Sequence, residues 1–275
     1  MSFRPFQAGL YGIRASGLML RGLVPPTPRL AVVGSRAMQQ RGREATTRIV
    51  ELAAAEGFSL VSGGARGIDI TAHRHALRIG MPQLVVLPCP PERVYPPEFS
   101  ACFDEIVERP YSGVLHGLRS GTPASRGSFA SRNRLVVGLS RAVVVVQAAS
   151  RSGSAGTGSL ALQAQGKACA ALLGSRGCER LVGAGARSLG RPDEPDFEAR
   201  VRSWLGFVLG RAHAGEPTRP WPEHLSWLCE ALEAAPAEGR SLDSFDQPLD
   251  ALCALTEAVT LSLVVECSTG RYRLA

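Results

Sequence analysis

Residues Ser62–His73 read SGGARGIDITAH, and the reading of this stretch decides the fold. The apolar run Phe58-Ser59-Leu60-Val61 leads into it, and Ile70, Ala72, Ala76, Leu77 and Ile79 follow at helical spacing. The stretch is therefore expected to be a strand end, a Gly-rich turn and a helix start. Gly63, Gly64 and Gly67 allow a tight turn and a close backbone approach to a ligand. A helix N-terminus offers free N–H groups and positive potential to a phosphate. Arg66 adds a guanidinium that can fork onto phosphate oxygens. The alternative is a strand-to-helix turn with no ligand, because a Gly-rich turn alone is a weak signal.

The neighbouring segments weigh against that alternative. Upstream, Arg29–Gly34 (RLAVVG) is a continuous apolar run, as in a central parallel strand, and it ends in Gly34-Ser35-Arg36. A helix is expected over Gly42–Ala55, with Ile49, Leu52 and Ala53 inward. Downstream, Gln83–Leu87 reads as a strand, and Pro88, Pro90, Pro91, Pro96 and Pro97 as a rigid loop. A short helix is expected over Glu98–Ile106 and one strand near Gly113–His116. Gly121–Arg126 is a loop, and a helix from Ser128 to Gly138 carries Phe129, Arg132, Asn133 and Arg134. Ala142–Gln147 (AVVVVQ) is a strand that runs into Ser152, Gly153 and Ser154. A helix to Gln165 and a strand over Ala168–Leu173 complete the alternation.

Strand and helix thus alternate, which predicts an α/β domain with an open, mainly parallel sheet and helices on both faces. Such sheets bind ligands outside the carboxyl ends of their strands. Gly34-Ser35-Arg36, Ser62–Gly67 and Ser152–Thr157 all fall at those ends. Three Gly/Ser/Arg corners are therefore expected around one crevice.

The flanks read differently. Residues 1–28 form a lead-in expected to pack on the body, residues 29–190 the main domain, and residues 191–220 a linker that includes a helix over Phe197–Leu209. In residues 221–275, Leu225, Leu228 and Leu232 mark one helix, Leu242 to Leu249 a second, and Leu252, Leu255 and Val259 a third. Leu261–Cys267 and Arg271–Leu274 flank Ser268-Thr269-Gly270 and read as a hairpin. Three helices and a hairpin make a small winged-helix-like unit.

Charge separates the same two parts. Residues 1–190 hold 23 Lys and Arg against 10 Asp and Glu, whereas residues 191–275 hold 8 against 14. The body is suited to a polyanion. The acidic tail gains little from counterion release and is assigned a protein-contact role. The seven cysteines are scattered and form no C-x-x-C pair. That pattern predicts reduced thiols in a cytoplasmic protein. The longest apolar stretch, Leu135–Ala149, is broken by Arg141 and is too short for a bilayer.

Candidate chemistry is sparse. Asp69 and His73 lie four apart on one helix and could form an acid/base pair. The favoured reading places Asp69 in the first turn as a helix-stabilising carboxylate and packs His73 on the sheet. His73 and His75 gain no further ligands at useful spacing, so no metal site is expected. Ser152 and Ser154 lack an evident base. Arg132, Asn133 and Arg134 are good partners for phosphate and sugar. Phe129 either stacks on an exposed base or belongs to the core.

These residues together resemble the DprA/Smf family, the DNA-processing proteins of natural transformation. The resemblance covers about Gly22–Ala186. It rests on Gly34-Ser35-Arg36, on Ser62–Asp69 with Ala72-His73, on Tyr95-Pro96 and on Gly121-Thr122-Pro123. It continues through Phe129, Arg132-Asn133-Arg134, Gly138-Leu139-Ser140 and Ser152-Gly153-Ser154 to Leu181–Ala186. The resemblance implies a Rossmann-like domain that binds single-stranded DNA, forms a homodimer and hands the strand to a RecA-type recombinase. It implies no catalytic residues, no metal and no cofactor. The DNA pocket would comprise Gly34, Ser35, Arg36, Ser62, Gly63, Arg66, Phe129, Arg132, Asn133 and Arg134, and the tail resembles the winged-helix domain of many members. The chain departs from the family at His116-Gly117, where Ser-Glu is usual, and at Val146-Gln147-Ala148, where Val-Glu-Ala is usual.

Two other functions are weighed against DNA binding. A nucleotide phosphoribohydrolase of the related LOG group would need a glutamate where Leu160 stands. A sensor of a small nucleotide could use the same pocket, with the tail relaying the signal.

Overall fold

A computed structural model describes residues 3–6, 17–118, 121–122 and 125–210, together with the strand residues 240–241, 264–268 and 271–274. It divides into two compact units, Met1–Trp204 and Leu205–Ala275.

The first unit is built on a nine-stranded sheet. Its strands are β1 (Arg4–Pro5), β2 (Met19–Gly22), β3 (Arg29–Val33), β4 (Ser59–Ser62), β5 (Gln83–Leu87), β6 (Gly113–His116), β7 (Ala142–Val145), β8 (Ala168–Ala171) and β9 (Arg187–Ser188). Their spatial order is β1-β2-β6-β5-β4-β3-β7-β8-β9. From β6 to β9 every pairing is parallel. The order reverses between β3 and β7, so the topological switch point lies there.

The helices are α1 (Gln40–Ala55), α2 (Ile68–Ile79), α3 (Ser100–Glu108), α4 (Arg126–Leu139), α5 (Gly153–Gln163), α6 (Arg176–Gly183) and α7 (Phe197–Val208). The central strands are buried on both sides, and their residues alternate between two apolar layers. Ala31, Val33, Leu84, Val86, Val143 and Val145 face α4, α5 and α6 in one layer. Val85, Leu87 and Val114 face Ile70 of α2 and Phe103, Ile106 and Val107 of α3 in the other. The sequence patterning therefore produces the expected α/β sheet covered on both faces.

Residues 1–28 do more than pack on the body. Within them β2 pairs antiparallel with β6, and β1 pairs with β2, so the lead-in extends the sheet at one edge. The stretch 191–220 contains α7, whose Phe197 and Val201 are fully buried. The Arg48 guanidinium lies 4.9 Å from the centre of the Phe197 ring. α6 and β9 have no counterpart in the sequence reading.

In the second unit, β11 (Val264–Ser268) and β12 (Arg271–Leu274) form the expected hairpin, and β10 (Arg240–Ser241) adds a third strand beside β12. The three helices expected over residues 225–259 lie outside the described residues.

Candidate nucleic-acid interface

The three corners meet as expected, and they are bonded to one another. The Ile68 N–H donates to the Ser35 carbonyl at 3.2 Å, joining the turn after β3 to the turn after β4. Ser154 Oγ donates to the Gly34 carbonyl at 2.7 Å, joining the turn after β7 to the turn after β3. Asn133 Nδ2 donates to the Gly153 carbonyl at 3.3 Å and ties α4 to the same place. Gln147, at the usual glutamate position, accepts from the Gln39 N–H at 3.1 Å and anchors the start of α1.

This close joining explains glycines that the sequence assigns to ligand approach. At Gly67 (φ +79°) an added Cβ would lie 2.1 Å from the Ser35 carbonyl oxygen. At Gly34 it would lie 2.5 Å from the Ile68 side chain. Both glycines let two turns pack against each other, whether or not a ligand is present.

Arg132 is the floor of the site. It is 6% exposed, and its Nη1 lies 3.4 Å from Oδ2 of Asp69, itself 4% exposed. The guanidinium crosses Gly63, where a Cβ would stand 1.3 Å from Nη1. Its Nε is buried without a hydrogen-bond partner. Burial pushes the Asp69 carboxyl above its ordinary range, against the pull of Arg132 and of the Ala65 and Gly34 backbone. Burial likewise pushes Arg132 down, against the pull of Asp69.

Above this floor lies an open cleft of about 300 Å³, lined among others by Arg36, Arg66, Tyr95, Phe129 and Arg132. The Arg36 guanidinium stands 5.3 Å from the centre of the Phe129 ring. Tyr95 meets Phe129 edge to face, with ring centres 6.1 Å apart. Phe129 is thus half-buried with polar and aromatic neighbours and serves as a wall of the cleft. Arg66 is exposed and paired with Glu98, Nε to Oε1 2.5 Å. The arrangement offers cations for phosphates and ring faces for bases.

The remaining sequence-predicted residues are placed around the cleft. Ser62 is buried, and its hydroxyl donates to the Val32 carbonyl at 2.6 Å, so it braces the sheet. Gly64 (φ +66°) leaves room for Leu87, Val85 and Phe103. Ser152 caps α5, its Oγ accepting from the Ala155 N–H at 3.2 Å. Arg134 is exposed on α4. Asp69 and His73 do not pair. Burial pushes His73 down to about 4, and it bonds Gln83 at 2.8 Å.

Residues 17–195 match the family described as DNA recombination-mediator protein A. The chain belongs to this family. It is similar to the DNA processing protein DprA of Mycobacterium tuberculosis, 34% identical over 263 residues, covering 89% of this chain and 64% of the relative. It is also similar to DprA of Streptococcus pneumoniae, 33% identical over 166 residues, covering 58% of this chain and 57% of the relative. The chain therefore spans under two thirds of the length of these curated relatives. The crystal structure of the pneumococcal DprA superposes with a TM-score of 0.56 at 31% identity, covering 62% of each chain. DNA processing protein A from Helicobacter pylori, described in terms of its single-stranded DNA binding mode, superposes with a TM-score of 0.61 at 24% identity. That match covers 78% of this chain and 98% of the other, and it shows the shared fold.

Within this DNA recombination-mediator fold, sequence reasoning missed the roles of three residues, Tyr95 in the cleft wall, Asp69 beneath Arg132 and Glu98 beside Arg66. Tyr95 lies within the Pro-rich loop, and no period places it beside Phe129. Asp69 reads as a helix-start carboxylate, yet its position in α2 sets it under Arg132. Glu98 lies 32 residues from Arg66, and only the tertiary fold pairs them.

Proposed function

We propose that the cleft binds single-stranded DNA without catalysis, and that the chain acts in recombination by protecting the strand and passing it to a RecA-type recombinase. The observation that carries this reading is the Arg36–Phe129–Tyr95 cluster over buried Arg132, at the carboxyl ends of parallel strands. Phosphates would lie on Arg36, Arg66 and Arg132, and a base would stack on the aromatic wall. The Helicobacter relative's described single-stranded DNA binding supports the same ligand class. Affinity of this kind is largely independent of sequence and falls steeply with salt. A homodimer, a winged-helix tail and a cytoplasmic location belong to this reading through the family resemblance.

The hydrolase reading fares worse. Leu160, at the glutamate position, is partly buried against the core, and Ser152–Leu160 contains no carboxylate.

The test is a titration with single- and double-stranded oligonucleotides at two salt concentrations, with a mononucleotide as competitor. Tighter single-strand binding that weakens with salt and resists the mononucleotide is expected. Equal single- and double-strand affinities would overturn the reading, and full displacement by a mononucleotide would favour the sensor.

A further inference from the structure

Among the described residues, Arg21, Arg48, Arg66, Arg109, Arg132, Arg200 and Arg202 each meet a carboxylate. Along the turns that follow β3, β7 and β8 the pattern changes. Among the described residues, no ion pair involves Arg36, Arg41, Arg151, Arg176 or Arg180. From Arg109 to Gly190 the sequence contains a single acidic residue, Glu179.

The turns bearing these arginines form one continuous rim. Arg41 Nη2 donates to the Gly174 carbonyl at 3.2 Å, which links the start of α1 to the turn after β8. Arg180 Nη1 donates to the Ser150 carbonyl at 3.0 Å, and the Gly177 N–H donates to the Ala148 carbonyl at 2.9 Å. Both bonds link α6 to the turn after β7. The two guanidiniums are oriented by backbone carbonyls, which hold them without cancelling their charge. Arg151 and Arg176 are exposed on the same turns. Neighbouring strands are about 4.8 Å apart. The rim therefore carries positive charge roughly 10 Å beyond the cleft, past β7 to β8.

We propose that a bound single strand leaves the cleft across the switch point and continues along this rim, its phosphates on Arg41, Arg151, Arg176 and Arg180. The proposal deepens the single-strand reading of the cleft and rests on it for the ligand class. A rim that is basic, nearly free of carboxylate and without an aromatic wall holds a backbone and leaves its bases unread. The cleft takes the stacked bases, and the rim adds length-dependent affinity.

The experiment compares labelled oligothymidylates of about 4 and about 20 nucleotides, lengths that bracket common single-strand site sizes. They are titrated against the full chain, the Arg151→Ala/Arg176→Ala variant and the Arg36→Ala variant. Melting of each variant is checked first. The rim variant should bind the long strand roughly three- to tenfold more weakly and the short strand as before. Its dependence of log affinity on log salt should flatten by about 1.4 for the long strand, two phosphates at about 0.7 each. Unchanged long-strand affinity, or equal weakening at both lengths, would overturn the proposal. Arg36→Ala separates this proposal from the reading beneath it. If Arg36→Ala weakens both lengths and the rim variant neither, the cleft stands and the extension falls. If only the rim variant acts, on the long strand alone, the strand is held at the rim without passing through the cleft, and the cleft reading and the proposed path fall together.

Discussion

Asp69 and Arg132 form a buried ion pair beneath the cleft, Oδ2 to Nη1 3.4 Å, with Gly63 lying flat under the guanidinium. The pair joins the first turn of α2 to the middle of α4, across the carboxyl ends of the central strands. One proposed phosphate contact is therefore set by a residue that touches no ligand itself.

Asp69→Ala should leave the Arg132 charge buried without a counter-charge. Breaking a buried pair in this way costs about 3–5 kcal/mol. Urea denaturation of the variant should show a loss of that size. A loss below about 1 kcal/mol would mean that Arg132 finds solvent or another partner easily.

The two positive-φ glycines that bracket α2 should respond unequally to alanine. Gly80 is left-handed helical (φ +73°, ψ +18°), where alanine costs about 1–2 kcal/mol, whereas Gly67 (φ +79°, ψ −125°) lies in a region that only glycine occupies readily, so alanine is strained more there. A Cβ at Gly80 meets nothing within 4 Å, whereas at Gly67 it meets the Ser35 carbonyl at 2.1 Å. Gly67→Ala should therefore destabilise clearly more than Gly80→Ala in thermal melts. Equal losses would contradict the packing of one turn on the other.

Acid should weaken the fold through two histidines. Burial pushes His73 and His116 down from 6.5 to about 4. The fold holds both neutral, so the stability they protect is complete above about pH 6.5 and drains away as pH falls toward 4. The full loss is roughly 3 kcal/mol for each. Asp69, whose carboxyl is pushed up, acts in the opposite sense, so comparison with a variant isolates one histidine. His116→Gln should flatten the decline in urea-derived stability between pH 7 and pH 4. An unaltered slope would show that His116 titrates near its ordinary value.

Glu98 should compete with DNA for Arg66. The pair is solvent-exposed and screened, so Glu98→Gln should leave thermal stability nearly unchanged. It should tighten oligonucleotide binding a few-fold by removing a negative charge from the cleft. Weaker binding would show that Glu98 orients Arg66 productively.

Much of this was legible from residue order alone. RLAVVG, QLVVL and AVVVVQ are apolar without alternation, and burial on both faces follows directly. The corners at Gly34, Ser62–Gly67 and Ser152–Ser154 lie at strand ends, so the fold itself gathers them. What stayed hidden depends on contacts across long sequence separations. Gly34 and Gly67 read as room for phosphate, but their nearest neighbours are Ile68 and Ser35. Ser62 reads as a ligand contact, but its hydroxyl closes on Val32 inside the sheet. The two short strands β1 and β2 escaped notice because two and four residues are too few to show an apolar run or a period.

The most direct test of the account is a double-mutant cycle on Arg36 and Phe129, read as single-strand affinity at fixed salt. Loss of the ring should cost about 1–3 kcal/mol, Arg36→Ala should also weaken binding, and the two losses should be non-additive because the groups are in contact. Full native affinity in both single variants would contradict the claim that this cleft grips the strand.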